Sequence, residues 1–446
     1  MKKLLLLLFF TSFTFGQPYP DQFYSNKDEE LMEKIEAMSN LQITPDGKSL
    51  KLSDNAVEGF VIFEPDSSEY PFNRGLPSWN GHVFNETSGF KVSMRFFKNT
   101  WSPWLTVGYW KKNVWGGNYG QTSYSGGEIE IDYVVLNSYH SKWQFRVEMK
   151  RNSTSTESPI LNKLSFFVSD QVTTNNVNIT SLVNDNPEEI FIPTQHYYQY
   201  SLDPGVGGNI CSPTSVCMVL RSYNIEVEPL SFALDTYDPY WGIFGVWPRV
   251  VQHAAEYGLD GAVTRYRSWS EAREVLAAGG RVVMSVGYPL YPNGHLIMLA
   301  GFDAQGNPLS HDPAKSNGYG YKHNKTLLSQ SWFNKGGIAY TFYHPDSIST
   351  FVMGEEQFTA NDFYLGIYPN PFNPQTTIRF ETKERAFTSI TVYDVTGSEV
   401  EKIFNDVIEP GSYNFVWNAS NHPSGVYIIQ SISGNYRKSV KAVLVK

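Results

Sequence analysis

Gly207-Gly-Asn-Ile-Cys211-Ser-Pro-Thr-Ser215-Val-Cys-Met-Val-Leu220 decides how the middle of this chain is read. A glycine-rich loop runs onto a cysteine, and the residues after it carry the marks of an apolar helix. Pro213 suits the first turn, where a missing N–H costs nothing, and Val216, Val219, Leu220 and Tyr223 follow at helical spacing. A cysteine in that place aims its sulfur at the unsatisfied N–H groups and positive dipole end of the helix, which favour thiolate over thiol. The thiolate is the reactive form, so Cys211 reads as a nucleophile.

The cysteine count sharpens this reading, because the chain has two cysteines and an exported protein normally pairs its thiols or does without them. Cys217 lies six residues on along the same helix, a rise of about 9 Å, beyond the roughly 7 Å over which two Cα atoms can be bridged. Cys211 is therefore expected as a free thiol. Cys217, in the middle of an apolar run, reads as a small buried hydrophobe.

Export is expected from the start of the sequence. Met1-Lys-Lys, then the apolar run Leu4 to Phe10 and a short Thr/Ser/Phe/Gly stretch have the form of a secretory signal peptide over residues 1–16. That run is too short to span a bilayer, and no later stretch approaches about 20 apolar residues, so no membrane span is expected after signal removal. At 446 residues, with 41% hydrophobic and 18% charged content, the chain is of globular type and long enough for about three domains. A net charge of −9 with no lysine or arginine block argues against a nucleic-acid partner.

Residues 40–185 read as an all-β sandwich. Phe60-Val-Ile-Phe63, Phe90 to Phe96, Glu128 to Val135 and Trp143 to Met149 alternate or are β-branched, and Gly, Asn and Ser turns separate them. Six tryptophans fall here: Trp79, Trp101, Trp104, Trp110, Trp115 and Trp143. Aromatic faces stack on sugar rings, which offers a glycan as ligand. Filling the core and rim of the sandwich is the other reading of the same rings.

From 188 to 345 the period changes to an α+β pattern. Trp247 to Tyr257 is predicted helical and closed by Gly258; Ser270 to Leu276 is a second helix with a serine cap before it and Gly279-Gly280 after it. The strands Arg281 to Val286 and His295 to Ala300 follow, then a turn around Asp303 to Gly306 and a short run into His311-Asp312. Residues 346–364 read as a linker, and 365–446 as a second all-β sandwich entered through Tyr368-Pro-Asn-Pro-Phe-Asn-Pro374.

A thiolate nucleophile needs a base, a group that orients the base, and donors for the oxyanion. Gly294-His295 opens one strand of a hairpin and Asp312 closes the returning one. Counting out from a turn near Ala304 to Gln305 sets these two residues opposite or diagonally adjacent across the ladder. His311 is the rival, but its side chain should point to the other strand face. His82, His140, His253, His323, His344 and His422 read as ordinary structural histidines.

With Gln199-Tyr-Ser-Leu-Asp-Pro, Cys211-Ser-Pro-Thr-Ser with Met218-Val-Leu, Gly294-His295 with Gly301-Phe-Asp303, and Asp312-Pro-Ala314, the middle of the chain resembles the papain-like cysteine peptidases related to the bacteriocin-processing peptidases. Ser212 stands where many relatives have glycine, and Tyr198 where serine is common. The resemblance implies a papain-like fold with Cys211 as nucleophile, His295 as general base and acid, and Asp312 as the orienting residue. It also implies a glutamine upstream of the cysteine as oxyanion donor; Gln195 and Gln199 are both available, and Gln199 fits the local pattern better. No cofactor and no metal are implied.

The tail carries a second resemblance. Tyr368 to Pro374, Thr377-Ile-Arg-Phe380, Val392-Tyr-Asp-Val-Thr-Gly397, Pro423-Ser-Gly-Val-Tyr427 and Lys441 to Lys446 are similar to the C-terminal sorting domain of type IX secretion cargo. That resemblance implies a Bacteroidota-type bacterium, the type IX secretion machinery as partner, removal of the tail, and release or attachment at the outer cell surface. The first β domain resembles accessory sandwiches found ahead of such peptidases. Together these features predict a secreted or surface-attached thiol protease acting on a peptide or protein substrate through a thioester. The alternatives are a peptidoglycan-directed amidase or endopeptidase with the same triad, and a catalytically inactive glycan-binding adhesin.

Overall fold

The structure, a computed structural model, describes residues 21–111, 114–115, 119–172, 176–345, 363–368, 372–382, 385–394, 398–433 and 436–446. The expected signal peptide lies outside the described residues, as does the expected linker up to residue 362. The described residues form two compact units, one up to residue 345 and the other from residue 363.

The first unit begins with a twelve-stranded antiparallel sheet folded over on itself. Two long strands, Asp66–His82 and Tyr133–Arg151, make the fold possible because each changes partner along its length. The first half of Asp66–His82 pairs with Tyr133–Arg151, and its second half pairs with Ile160–Ser169. The sheet also takes in Gln22–Lys27, ahead of the expected start at residue 40, in register with Ile160–Ser169. Trp143, Phe145, Val147 and Met149 alternate into the core, as period-two patterning requires. Trp79, Trp110 and Trp115 are buried too. Trp101 and Trp104 are half-buried, and the Arg95 guanidinium stands over both rings, 4.6 and 4.5 Å from their centroids.

Residues 188–345 fold as helices against a seven-stranded antiparallel sheet. The apolar helix starts at Cys211 and runs Cys211–Ser222, packed between Pro229–Thr236, Trp247–Glu256 and the central strand His295–Phe302. Trp269–Ala277 is capped by Ser268, whose side chain accepts from the Glu271 N–H.

This sheet and the first β sheet share a polar interface. The strand segment 78–83 crosses Trp247–Glu256 and Asp260–Arg265. Asn80 Oδ1 accepts from Gly261 N at 3.1 Å, Ser78 Oγ from Val263 N at 3.1 Å, and Gln252 Nε2 donates to Gly81 O at 2.9 Å. Buried Arg249 donates to Tyr109 O at 2.7 Å. Lys163 and Lys27 both pair with Asp260. Apart from Lys27, which is partly exposed, these groups are buried or nearly so and each depends on its partner across the interface.

The second unit is a small sandwich of one three-stranded and one four-stranded antiparallel sheet. Ile378, Phe380, Ile390, Val392, Trp417 and Ile429 fill the space between them. Among the described residues no helix is long and apolar enough to cross a membrane.

Candidate active site

Cys211 is the first residue of its helix, so the Cys211 and Ser212 N–H groups have no intrahelical partner, and the Ser212 N–H bears on the sulfur. The helix is fixed against the histidine strand by Ser215 Oγ, which donates to Leu296 O at 3.0 Å. Ser212, where a glycine was the commoner expectation, shares a hydrogen bond of 2.8 Å with Tyr340 OH. Gly245 packs beside it, where a Cβ would stand 3.4 Å from Ser212 Cβ.

His295 opens a strand that is buried along its whole length. Met298 faces His311 across the hairpin, and a bulge at Ala300 shifts the pairing towards the turn. Continuing that register sets Ile297 opposite Asp312, with His295 one diagonal step away on the same face. Nε2 of His295 donates to Asp312 Oδ1 at 2.9 Å, which leaves Nδ1 for Cys211. Asp312 is fully buried and receives three further contacts. Ala314 N donates to Oδ1 at 2.9 Å, Tyr291 OH donates to Oδ2, and His323 Nε2 lies 3.8 Å from Oδ2.

The electrostatics follow from this chain of contacts. Burial pushes the Cys211 thiol up, but the hydrogen bond and charge of His295, with the Leu296 and Ser212 N–H groups, bring it below the ordinary cysteine value. Burial pulls the His295 imidazole down, yet Asp312 and Cys211 lift it to about 9. Burial also works against the Asp312 carboxylate, and the bonds from His295, Tyr291 and Ala314 hold it below its usual value. The arrangement favours a thiolate beside an imidazolium.

Gln199 is buried on a short 3₁₀ turn tied to the aspartate loop by Gln199 N donating to Pro313 O at 2.9 Å. Its Nε2 donates to Gly207 O at 2.7 Å, and its Oε1 has no partner among the described residues. One N–H of the amide is thus committed to the cysteine loop and one remains. Gln195 is exposed. His311 points away from Asp312, accepting from Gly320 N at 3.2 Å and bonding Ile192 O at 2.9 Å.

Three further neighbours of the site are not singled out by the sequence as functional. Tyr291 covers the His295 ring, with centroids 4.4 Å apart, while its hydroxyl holds Asp312. His323 sits behind Asp312, and burial lowers it to about 4, so it is neutral there. His196 Nε2 meets the Asp312 carbonyl at 3.0 Å. Tyr291 stands four residues before His295 in a Pro-Asn-Gly turn, and that proximity to the histidine is the one cue that could have found it.

Known families match along the chain. The Peptidase C39 N-terminal domain matches residues 60–169, the Peptidase_C39 like family residues 191–340, and the Secretion system C-terminal sorting domain residues 366–446. No curated protein matches. Among solved structures, a Faecalibacterium prausnitzii beta-glucuronidase aligns over 87% of this chain and 37% of its own, at 9% identity and a TM-score of 0.16. Dimeric latent PorU from Porphyromonas gingivalis aligns over 95% of this chain and 34% of its own, at 11% identity and a TM-score of 0.19. The chain spans about a third of the length of both, and likenesses at these scores carry no argument. The sorting domain points to secretion or the outer surface. With a half-buried cysteine, a buried histidine and a buried aspartate in line inside the matched segment, the chain carries a peptidase C39-like domain at its centre, a C39 N-terminal domain before it and a secretion-system sorting domain at its end.

Proposed function

We propose that this protein is an exported cysteine peptidase that cuts peptide bonds through Cys211, His295 and Asp312. The observation that carries the reading is the unbroken line from the Cys211 helix start through His295 to the buried Asp312, with the thiol lowered and the imidazole raised. The thiolate attacks the scissile carbonyl carbon. Negative charge moves to the carbonyl oxygen, where the Cys211 N–H and the uncommitted N–H of Gln199 are the available donors. The imidazolium gives its proton to the leaving amine as the C–N bond breaks, leaving a thioester on Cys211. Neutral His295 then takes a proton from water, which attacks the thioester and frees the acid and the thiolate. Asp312 orients the ring throughout and balances its charge.

The tail serves as address, read by the type IX secretion machinery and removed on export. A glycan role for the first β domain gains no support, because four of its six tryptophans are buried and the other two lie against Arg95. Incubating the protein with a proteome-derived peptide library and sequencing the products tests the reading. New peptide ends that appear with the native protein and vanish with Cys211→Ala are expected; identical product sets from the two would overturn it. Protein recovered from the native host should lack the sorting tail, and an intact end at Lys446 would refute the address role.

A further inference from the structure

Lys335 lies on the turn between the helix Lys325–Phe333 and the strand Ile338–Tyr343. Gly336 and Gly337 both have positive φ, and Gly337 N donates to Trp332 O at 3.0 Å, so the backbone beside the lysine is fixed. Its aliphatic stem passes over Gly287, where a Cβ would meet Cδ at 3.4 Å. Its ammonium reaches Gly294, where a Cβ would meet Nζ at 3.3 Å. Gly294 directly precedes His295, so the cation stands at the mouth of the site, and it is near enough to Cys211 for their charges to act on each other.

That ammonium has no hydrogen-bond or ion-pair partner among the described residues. Lys325 and Lys322 of the same domain do, while Lys315 stands over the Tyr321 ring. Lys325 Nζ donates to Asn186 Oδ1 and Gly306 O, both at 2.9 Å, and Lys322 pairs with Asp303. The acid whose charge reaches Lys335 is Asp132, but its carboxylate is buried and engaged by Trp247 N at 2.6 Å. The two glycines let the stem and the ammonium run close along the backbone that leads into His295. An exposed cation held by a rigid turn beside a reacting thiolate, with its own anion missing, is arranged to receive one from outside.

We propose that Lys335 is the centre of a carboxylate-accepting subsite beside Cys211, so that preferred substrates carry an acidic side chain or a free C-terminal carboxylate next to the scissile bond. The proposal rests on the reading of Cys211 as nucleophile, and its test reads the two separately. Alkylation of Cys211 in the full chain is followed with iodoacetate, which is anionic, and with iodoacetamide, which is neutral. The ratio of the two rates reports the local cation, whereas the iodoacetamide rate alone reports the state of the thiol. Lys335→Ala should lower the ratio about fivefold, the size of one screened charge at a few ångströms. Lys335→Glu should lower it further, and Lys335→Arg should restore it, with iodoacetamide rates little changed. A ratio unmoved in all three variants overturns the subsite. An iodoacetamide rate that rises only near pH 8.5 in every variant would instead overturn the nucleophile, while the ratio still reads the cation. On peptides, Asp or Glu beside the cut should be favoured over Asn or Gln, and Lys335→Ala should erase the preference. Blocking the C-terminus as an amide then distinguishes the two sources of the carboxylate: a side-chain site tolerates the amide, and a C-terminal site does not.

Discussion

Cys211 and Cys217 share one helix and neither forms a disulfide, yet the fold gives them opposite chemistry. Cys211 stands at the helix start, half-buried, with His295 beside it and a thiol below the ordinary value. Cys217 is fully buried among Val216, Met218, Val219 and Leu220, and burial pushes its thiol well above the ordinary value. Burial acts in the same direction on both sulfurs. What differs is the supply of N–H donors and a cation, which exists at the helix end and not within the hydrogen-bonded run. Place on the helix, with His295 beside one sulfur, sets the two thiols apart.

Exchanging each cysteine for alanine should separate the two ends of the helix most widely. Cys211→Ala should lower kcat for peptide hydrolysis by a factor on the order of 10⁵–10⁶ with the melting temperature little changed. Cys217→Ala should keep the activity and cost about 1 kcal/mol of stability through the small void it leaves. Equal activity losses in the two variants would break the comparison.

The next largest effects concern the groups that set Cys211 apart. Asp312→Asn should cut kcat by about 10²–10⁴, because the ring loses both its orientation and its counter-charge; a loss below tenfold would show that Asp312 serves only the fold. Gln199→Ala should cost about 10²–10³ in kcat with little change in KM and with thiol reactivity retained. Gln195→Ala, at an exposed position, should be nearly silent, and the reverse ranking would transfer the donor role. Tyr291→Phe is the mildest change: it keeps the ring over His295 and removes one hydrogen bond to Asp312, so about 1 kcal/mol, or roughly fivefold in kcat, is expected. An unchanged kcat would mean that the ring alone matters.

Much of this site is legible in the chain because its signals are local. Pro213 and the glycines before Cys211 mark a helix start, and a short turn between two apolar runs fixes the face shared by His295 and Asp312. The turn itself is centred on Gln305, since Phe302 pairs with Pro308, and the bulge at Ala300 moves the register by one residue, to the pairing that a turn near Ala304 to Gln305 predicts. Contacts made across the fold leave no such trace. Nothing in the order of residues brings Lys335 to Gly294, or His323 to Asp312, because each arrives from a separate element. The same holds for the interface of the first sheet with the peptidase domain: Ser78, Asn80 and Gly81 read as strand residues, and their donors and acceptors on 252–263 are far away in sequence. Gln22–Lys27 is a strand only because Ile160–Ser169 offers an edge to it.

The central claim is that Cys211 exists as a thiolate paired with His295, and alkylation against pH, read residue by residue by mass spectrometry, tests it most directly. Protonation of the thiolate stops the reaction only below its lowered pKa, so Cys211 should react fast at mildly acid pH while Cys217 stays unmodified in the folded protein. The peptidase activity should hold over the same range and fall as His295 loses its proton near 9, since the leaving amine then has no donor. In His295→Ala the onset of Cys211 alkylation should move up to about 8.5, the value of a free thiol. A wild-type Cys211 that begins to react only near that pH, with no difference from His295→Ala, would contradict the account.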